Sequence, residues 1–478
     1  MFQFRKTIAA LMAASALAAC TVGPEHVEPA IPPAAAAPFI GVQSASVTAD
    51  APADDWWKLY DDPVLDALVA DALAANTDVR VALARIERAR AGLRGSRGAA
   101  LPRTAVSASG TYGRVSESET LPGIDREGRR LAGEFAAAYE LDLFGRVARG
   151  IEASRADLDA ARQDADAVRV IVAADTVQAY VDAAATAQQI AVGQAMVELL
   201  AKSERITDAR FRRGLNQKLD VLRLTQLREA QAAAIPPLQA RRDAALFRLA
   251  ALTGRTPQDL PAAALDRRTT PDIAAAIPVG DGQTLLARRP DVKAAERRLA
   301  ADTARIGMAT ADLYPRITLG ASVSTTALGN TPVLGSGPLG WLLGPLIQWA
   351  FPNQEAVRAR IGAARADAAA DLARFDGTVL QALQETETAL SAYRNALAAE
   401  DRLAASRDAA DRAAKVSLAR QSRGQIDALD ALDAQRTLAL TEADYAAARR
   451  NVALAQVDLF RALGGNWTEE EPAGRAMQ

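Results

Sequence analysis

The sequence predicts a mainly α fold with a small β part, built as two tandem structural repeats of long coiled-coil helices plus strand pairs. Three observations carry this expectation: long proline-free, alanine-rich stretches, four short segments of strict alternation, and self-similarity at a nearly constant shift. The 478 residues carry a net charge of −2; 50% are hydrophobic and only 5% aromatic. Small residues interspersed with charge suit helices that pack closely on one another.

The chain begins MFQFRKTIAALMAASALAAC, with Arg5 and Lys6 ahead of a short apolar run and small residues before Cys20. Residues 1–19 read as a signal peptide, too short to span a membrane as a helix. LAAC resembles a bacterial lipobox, in which the thiol of Cys20 is lipidated, and Thr21 after it is compatible with sorting to an outer membrane. An ordinary cleavage site beside an incidental cysteine is the other reading. Residues 20–62 are then expected to form a lipidated, extended N-terminal segment.

Repeats follow. Leu73-Ala-Ala-Asn76-Thr-Asp78-Val79 returns as Leu286-Ala-Arg-Arg289-Pro-Asp291-Val292, 213 positions on, and Leu101-Pro102-Arg103 returns as Tyr314-Pro315-Arg316 at the same shift. Arg213-Gly214, with Asp220 and Leu222, returns 210 positions on as Arg423-Gly424, with Asp430 and Leu432. The repeats are placed at 63–270 and 280–465, with a linker at 271–279 and a tail at 466–478. Each runs helix, strand pair, long helix, glycine turn, helix.

In the first helix of each repeat, Asn76 is a suitable N-cap, and Pro290 fits the first helical position with Asp291 near the positive end of the dipole. RRPD is thereby explained as a helix start. Ile151 to Arg213 contains no proline and only Gly193 among glycines. Ile151, Leu158, Ala161, Ala165, Val168 and Val172 keep heptad spacing, as do Leu383, Leu390, Tyr393 and Leu397.

The strands are expected at about 103–115, 131–144, 316–325 and 340–351. Val106, Ala108 and Tyr112 alternate with Ser107, Ser109 and Thr111, and Leu131, Phe135, Tyr139 and Leu141 with Glu134 and Glu140. Ile317, Leu319 and Val323 alternate with Thr318, Ser322 and Ser324, while Trp341, Leu343, Ile347, Trp349 and Phe351 line one side of the last segment. Period-two alternation over about ten residues fits strands with one face in lipid and one in water. A soluble hairpin packed on a helix reads the same way for any single strand. No segment offers the roughly 18 apolar residues of a spanning helix, so strands must make any crossing. Four strands cannot close a barrel, whose smallest single-chain form uses about 8, and an open edge in hydrocarbon leaves backbone groups unpaired at several kcal/mol each. Several chains must therefore pool their strands, and the sequence does not choose between two chains and three.

Chemistry is bounded by scarcity. One histidine, His26, and one cysteine, Cys20, exclude an intrachain disulfide, a Cys/His zinc cluster and a His-based triad away from residue 26. The near-neutral charge gives no broad basic surface for nucleic acid. The glycines of Ala327–Gly340 lack a phosphate-loop lysine and read as an external hairpin loop. An enzyme is not expected, and neither is a cofactor beyond the covalent lipid on Cys20.

As an ordered set, CTVGP (from Cys20), WWKLYDDPVLDALVADAL (from Trp56), YELDLFGR (from Tyr139), LTG (from Leu252), RRPD (from Arg288), LYPRITL (from Leu313), GWLLGP (from Gly340), LDAQR (from Leu432) and RALGGNW (from Arg461) cover nearly the whole mature chain. In this the sequence resembles the TolC-like outer membrane factors, specifically their lipidated, NodT-type efflux branch. The resemblance implies a homotrimer sharing one 12-stranded transmembrane β-barrel, continued by an α-helical periplasmic barrel. It implies a passive duct for small molecules in a tripartite export system, anchored in outer membrane lipid, fed by an inner-membrane pump through a periplasmic membrane-fusion adaptor. The helix-hairpin tips, which would contact the adaptor, match Arg213, Gly214, Arg423 and Gly424; the periplasmic constriction matches Asp430 and Asp433, with Asp220 in the other hairpin. Asp427 departs from the simplest pattern and its direction stays open. The same acids at a helix start also serve to complement the helix dipole. A rival reading from another class is a periplasmic coiled-coil structural or adaptor lipoprotein with soluble hairpins.

Overall fold

The computed structural model describes residues 21–42, 46–116, 118, 126–273, 275–329, 332–333 and 337–465. The signal segment, Cys20 and the tail from residue 466 lie outside the described residues. In chain order the elements are β1 (Val47–Thr48), α1 (Pro63–Ala75), α2 (Thr77–Gly98), β2 (Arg103–Arg114), β3 (Glu127–Leu141), α3 (Arg146–Arg212), α4 (Lys218–Ala233), α5 (Ile235–Leu252), α6 (Ala262–Leu265), β4 (Ile277–Pro278), α7 (Gly282–Arg288), α8 (Pro290–Ala311), β5 (Arg316–Leu328), β6 (Leu339–Gln348), α9 (Glu355–Ser422) and α10 (Ala428–Leu463). They form two compact units, one of Met1–Pro29, Arg85–Ala161 and Ala294–Asp376, the other of Ala30–Ala84, Arg162–Lys293 and Gly377–Gln478.

The first unit holds an antiparallel sheet in the order β2-β3-β5-β6. Because pairing keeps the period of two, side chains divide between its two faces. One cross-strand row reads Val106, Phe135, Val323, Trp341, and the next on that face Thr104, Ala137, Ala321, Leu343. The opposite face carries Ser107, Glu134, Ser324, Gly340 and then Ala105, Ala136, Ser322, Leu342. The apolar face is uncovered: Val106 is 80% and Trp341 77% exposed. Among the described residues the outer edges of β2 and β6 have no strand partner.

All four expected strands are present with moved ends. The second begins at Glu127, where it pairs with Arg114, and stops at Leu141 rather than reaching residue 144. Its end is set by Asp142, whose carboxylate accepts the amides of Val147 and Ala148 at 2.9 and 2.7 Å and so starts α3. β6 stops at Gln348, opposite the first residue of β5, Arg316. Trp349 leaves the ladder to donate its indole N–H to the Leu313 carbonyl at 3.0 Å and to stack on Phe351. The first described residues run beside this junction. Val22 N–H donates to the Phe144 carbonyl, and Gly23, with φ of +98°, lies so near Gly307 that a Cβ there would sit 2.4 Å from its Cα.

In the second unit α1 and α2 meet at Asn76, whose side-chain oxygen accepts the amide of Asp78 at 2.8 Å, as the cap signal predicts. Of the heptad positions, Leu158, Ala165, Val172, Leu390 and Tyr393 are buried, and Leu383 and Leu397 pack against the main core. That core joins Trp56, Leu65, Val177, Tyr180, Leu249 and Phe460, with the Trp56 and Phe460 rings stacked 4.6 Å apart. β1 and β4 pair in parallel, Val47 with Ile277, tying the N-terminal segment to the linker, a pairing with no alternation long enough to be read beforehand. RRPD does more than begin α8. Arg289 is 8% exposed and binds Asp291, Glu385 and the Ala462 carbonyl at 2.6, 2.8 and 2.9 Å.

The two repeats differ in their last helices. α10 is a single helix of 36 residues, whereas its counterpart is broken at Ala234 into α4 and α5. Pro236 and Pro237 lack amide donors and are tolerated only in a helix's first turn, so the chain restarts there.

Candidate constriction at the helix-hairpin turns

The α3–α4 and α9–α10 turns, both in the second unit, are copies of one another. At the first, Gly214 N–H donates to the Phe211 carbonyl at 2.8 Å and Leu215 N–H to the Arg210 carbonyl at 3.0 Å. At the second, Gly424 N–H reaches Gln421 and Gln425 N–H reaches Arg420, both at 3.0 Å. This six-to-one and five-to-two pairing is the Schellman closure of a helix end, and it needs a left-handed residue just past the cap. Gly214 at φ +72° and Gly424 at φ +73° supply it. Arg213 and Arg423 immediately before them are exposed. A Cβ on either glycine would meet nothing within 4 Å, so the glycines are required by conformation and not by crowding.

The cap of the next helix stands three residues beyond each glycine. Asp427 is the N-cap of α10, in extended conformation, its carboxylate accepting the Asp430 amide at 2.8 Å. Gln217 occupies the equivalent place before α4, and there Asp220 reaches back, its carboxylate accepting the Gln217 amide at 3.2 Å. Asp427 and Asp220 are therefore committed to building helix starts. Asp430 and Asp433 are exposed, one turn apart, on the face opposite buried Ala431, Gln435 and Leu438. Gln217 was not singled out from the sequence, although the shift of 210 places it opposite Asp427.

Each hairpin lends two helices to a small core of Met196 and Leu200, Leu224 and Leu227, Ala410 and Ala414, Leu438 and Ala439. Buried Gln435 donates across it to the Ser203 hydroxyl at 2.8 Å. An amide 2% exposed is costly to bury unpaired, so this bond fixes how α10 is rotated and thereby which way Asp430 and Asp433 face.

The profile of the outer membrane efflux protein family matches residues 68–255 and again 282–465. The chain belongs to this family. Outer membrane protein OprJ of Pseudomonas aeruginosa is 30% identical over 97% of this chain and 96% of its own length. Nodulation protein T of Rhizobium leguminosarum bv. trifolii is 29% identical over 96% and 97%. The solved outer-membrane channel OprN is 36% identical, covers 94% of this chain and 100% of its own, and superposes with a TM-score of 0.87. Membership of this family is consistent with the sheet described above, with its alternating faces. This chain is an outer-membrane efflux channel component. Among the described residues no helix is long and apolar enough to cross a membrane.

Proposed function

We propose that the chain acts as a homotrimer whose three four-stranded sheets close one 12-stranded barrel, continued by a helical tunnel. The duct is passive, receiving small molecules from an inner-membrane pump through a periplasmic adaptor and releasing them outside. The observation that carries this is the sheet itself: strands of 12, 15, 13 and 10 residues, long enough to cross a bilayer, with one apolar face and two unpaired edges. In lipid each unpaired backbone group costs several kcal/mol, and pairing β6 of one copy with β2 of the next removes that cost.

Lipidation of Cys20 complements the barrel. Thr21, the next residue, lies against Gly145 at the strand-to-helix junction, where Phe144 stacks on Tyr314 at 4.5 Å. An acyl chain on Cys20 adds a second membrane anchor to the barrel.

At the hairpin turns Asp430 and Asp433 of three copies form rings of carboxylate that favour cations and repel one another as the tunnel narrows. Asp427 and Asp220 act through the helix starts that carry them, and Arg213, Gly214, Arg423 and Gly424 form the tips that meet the adaptor. Planar-bilayer recording of the purified protein tests the reading: stable single-channel steps with cation preference are expected. A detergent-free soluble monomer that never produces steps would overturn it.

A further inference from the structure

In the first unit a cavity of about 520 Å³ opens where the sheet gives way to the helices. That is within the range of small-molecule sites. Its polar side carries three guanidiniums, those of Arg146, Arg316 and Arg360, and three carboxylates, those of Glu140, Asp142 and Asp312. Its apolar side includes Phe144, Tyr314 and Trp349.

The charges are unevenly shared. Arg146 is fully engaged, forking onto Glu140 at 2.9 and 2.6 Å. Arg316 and Arg360 instead divide a single carboxylate, each reaching one oxygen of Asp312 at a long 3.2 Å. Glu140 lies 3.9 Å from Arg316, beyond hydrogen-bond reach. The remaining acid of the wall, Asp142, has both oxygens turned to the first amides of α3. Arg316 and Arg360 also keep 43% and 62% of their side-chain surface exposed. Two guanidiniums with donors to spare, facing a cavity beside a stacked aromatic pair, match a planar carboxylate carried on a ring.

We propose that this cavity is a binding station for aromatic carboxylates, with Arg316 and Arg360 pairing with the carboxylate and the Phe144–Tyr314 wall taking the ring. Glu140, Thr318 and Leu346 form one cross-strand row on the sheet's polar face, with Arg316 and Gln348 paired on that face beside it, so the site borders the water-filled side. The station rests on the duct reading for its place in transport, but the binding is a property of the protein that can be measured directly. In the duct it supplies two incompletely engaged guanidiniums, Arg316 and Arg360. Organic anions moving through the duct would be held at this station.

The test is titration calorimetry of the full-length protein in detergent with 2-naphthoate, and with uncharged 2-naphthamide as the matched control. Saturable naphthoate binding is expected, with the amide at least tenfold weaker. Arg360→Gln, altering an exposed side chain, should weaken naphthoate at least tenfold and leave the amide unchanged. Arg316→Lys with Arg360→Lys should keep part of the affinity, since charge survives while the planar fork is lost. No saturable naphthoate binding, or equal affinity in wild type and Arg360→Gln, overturns the station. A protein that conducts in bilayers yet fails this titration loses the station alone and keeps the duct; one that binds naphthoate but never conducts loses the duct.

Discussion

The carboxylate of Asp427 accepts the backbone amide of Asp430 at 2.8 Å, so the first two acids of the ladder after Gly424 do different work. One starts the helix and the other is carried by it. Replacing Asp427 with Ala should cost about 1 kcal/mol of local stability, as loss of an N-cap does, and Asp427→Ser should recover most of it. Hydrogen exchange at residues 428–431 reads this directly, while ion selectivity stays near wild type.

Asp430→Asn combined with Asp433→Asn removes the charge without disturbing the cap, because both side chains are exposed. Cation preference in single-channel recordings should fall, and reversal potentials under a salt gradient measure it. Unchanged selectivity would take these residues out of the constriction.

The turn glycines separate conformation from crowding. Gly214→Ala and Gly424→Ala should each cost about 1 kcal/mol for the left-handed backbone, with no clash. Gly23→Ala meets the backbone of Gly307 and should dislodge the N-terminal segment instead. Protease cleavage near residue 23 should therefore accelerate only in the last variant.

Arg289 predicts the largest single loss of stability. Its guanidinium serves two carboxylates and a carbonyl while 8% exposed, so Arg289→Ala removes its ion pairs with Asp291 and Glu385 and its bond to the end of α10 together. A loss of about 3–5 kcal/mol is expected, read from denaturant midpoints.

Much of this architecture is legible in the sequence because it rests on period and punctuation. Alternation located all four long strands, the heptads located α3 and α9, and the shift of 210 paired Gly214 with Gly424. What escaped depends on distant partners. Nothing local says that Val47 pairs with Ile277 or that Arg289 meets Glu385, 96 residues away. The acids of the tip were visible as a set, but their division between capping and exposure was not, since dipole, cap and pore all select aspartate at a helix start. The break at Ala234 had its signal in Ile235-Pro236-Pro237, inside a stretch whose counterpart runs on as helix.

A pH dependence follows from Asp302 on α8. Burial raises its carboxyl above the ordinary range, the bond to Arg305 opposes this, and Asp371 on α9 adds to it. Arg374 holds Asp371, and Asp157 of α3 holds Arg305. A raised acid stabilises the fold while protonated. That contribution is complete below the ordinary aspartate value near 4 and is lost as pH rises through the folded value. Asp302→Asn should flatten this fall, so thermal unfolding of the two proteins, compared from about pH 4 upward, should diverge.

The central claim is that copies complete one another's sheet, and disulfide trapping between edge strands tests it most directly. Ser107 on β2 and Gly340 on β6 lie in one row separated by β3 and β5. Within a chain that is about 14 Å, against the roughly 4 Å between Cβ atoms a disulfide needs. Gly340→Cys should be combined in turn with Ala105→Cys, Ser107→Cys and Ser109→Cys, with the parent protein as control for Cys20. Covalent dimers and trimers on denaturing, non-reducing gels are predicted for at least one pair in the native membrane. Monomers alone at every pair would contradict the shared barrel.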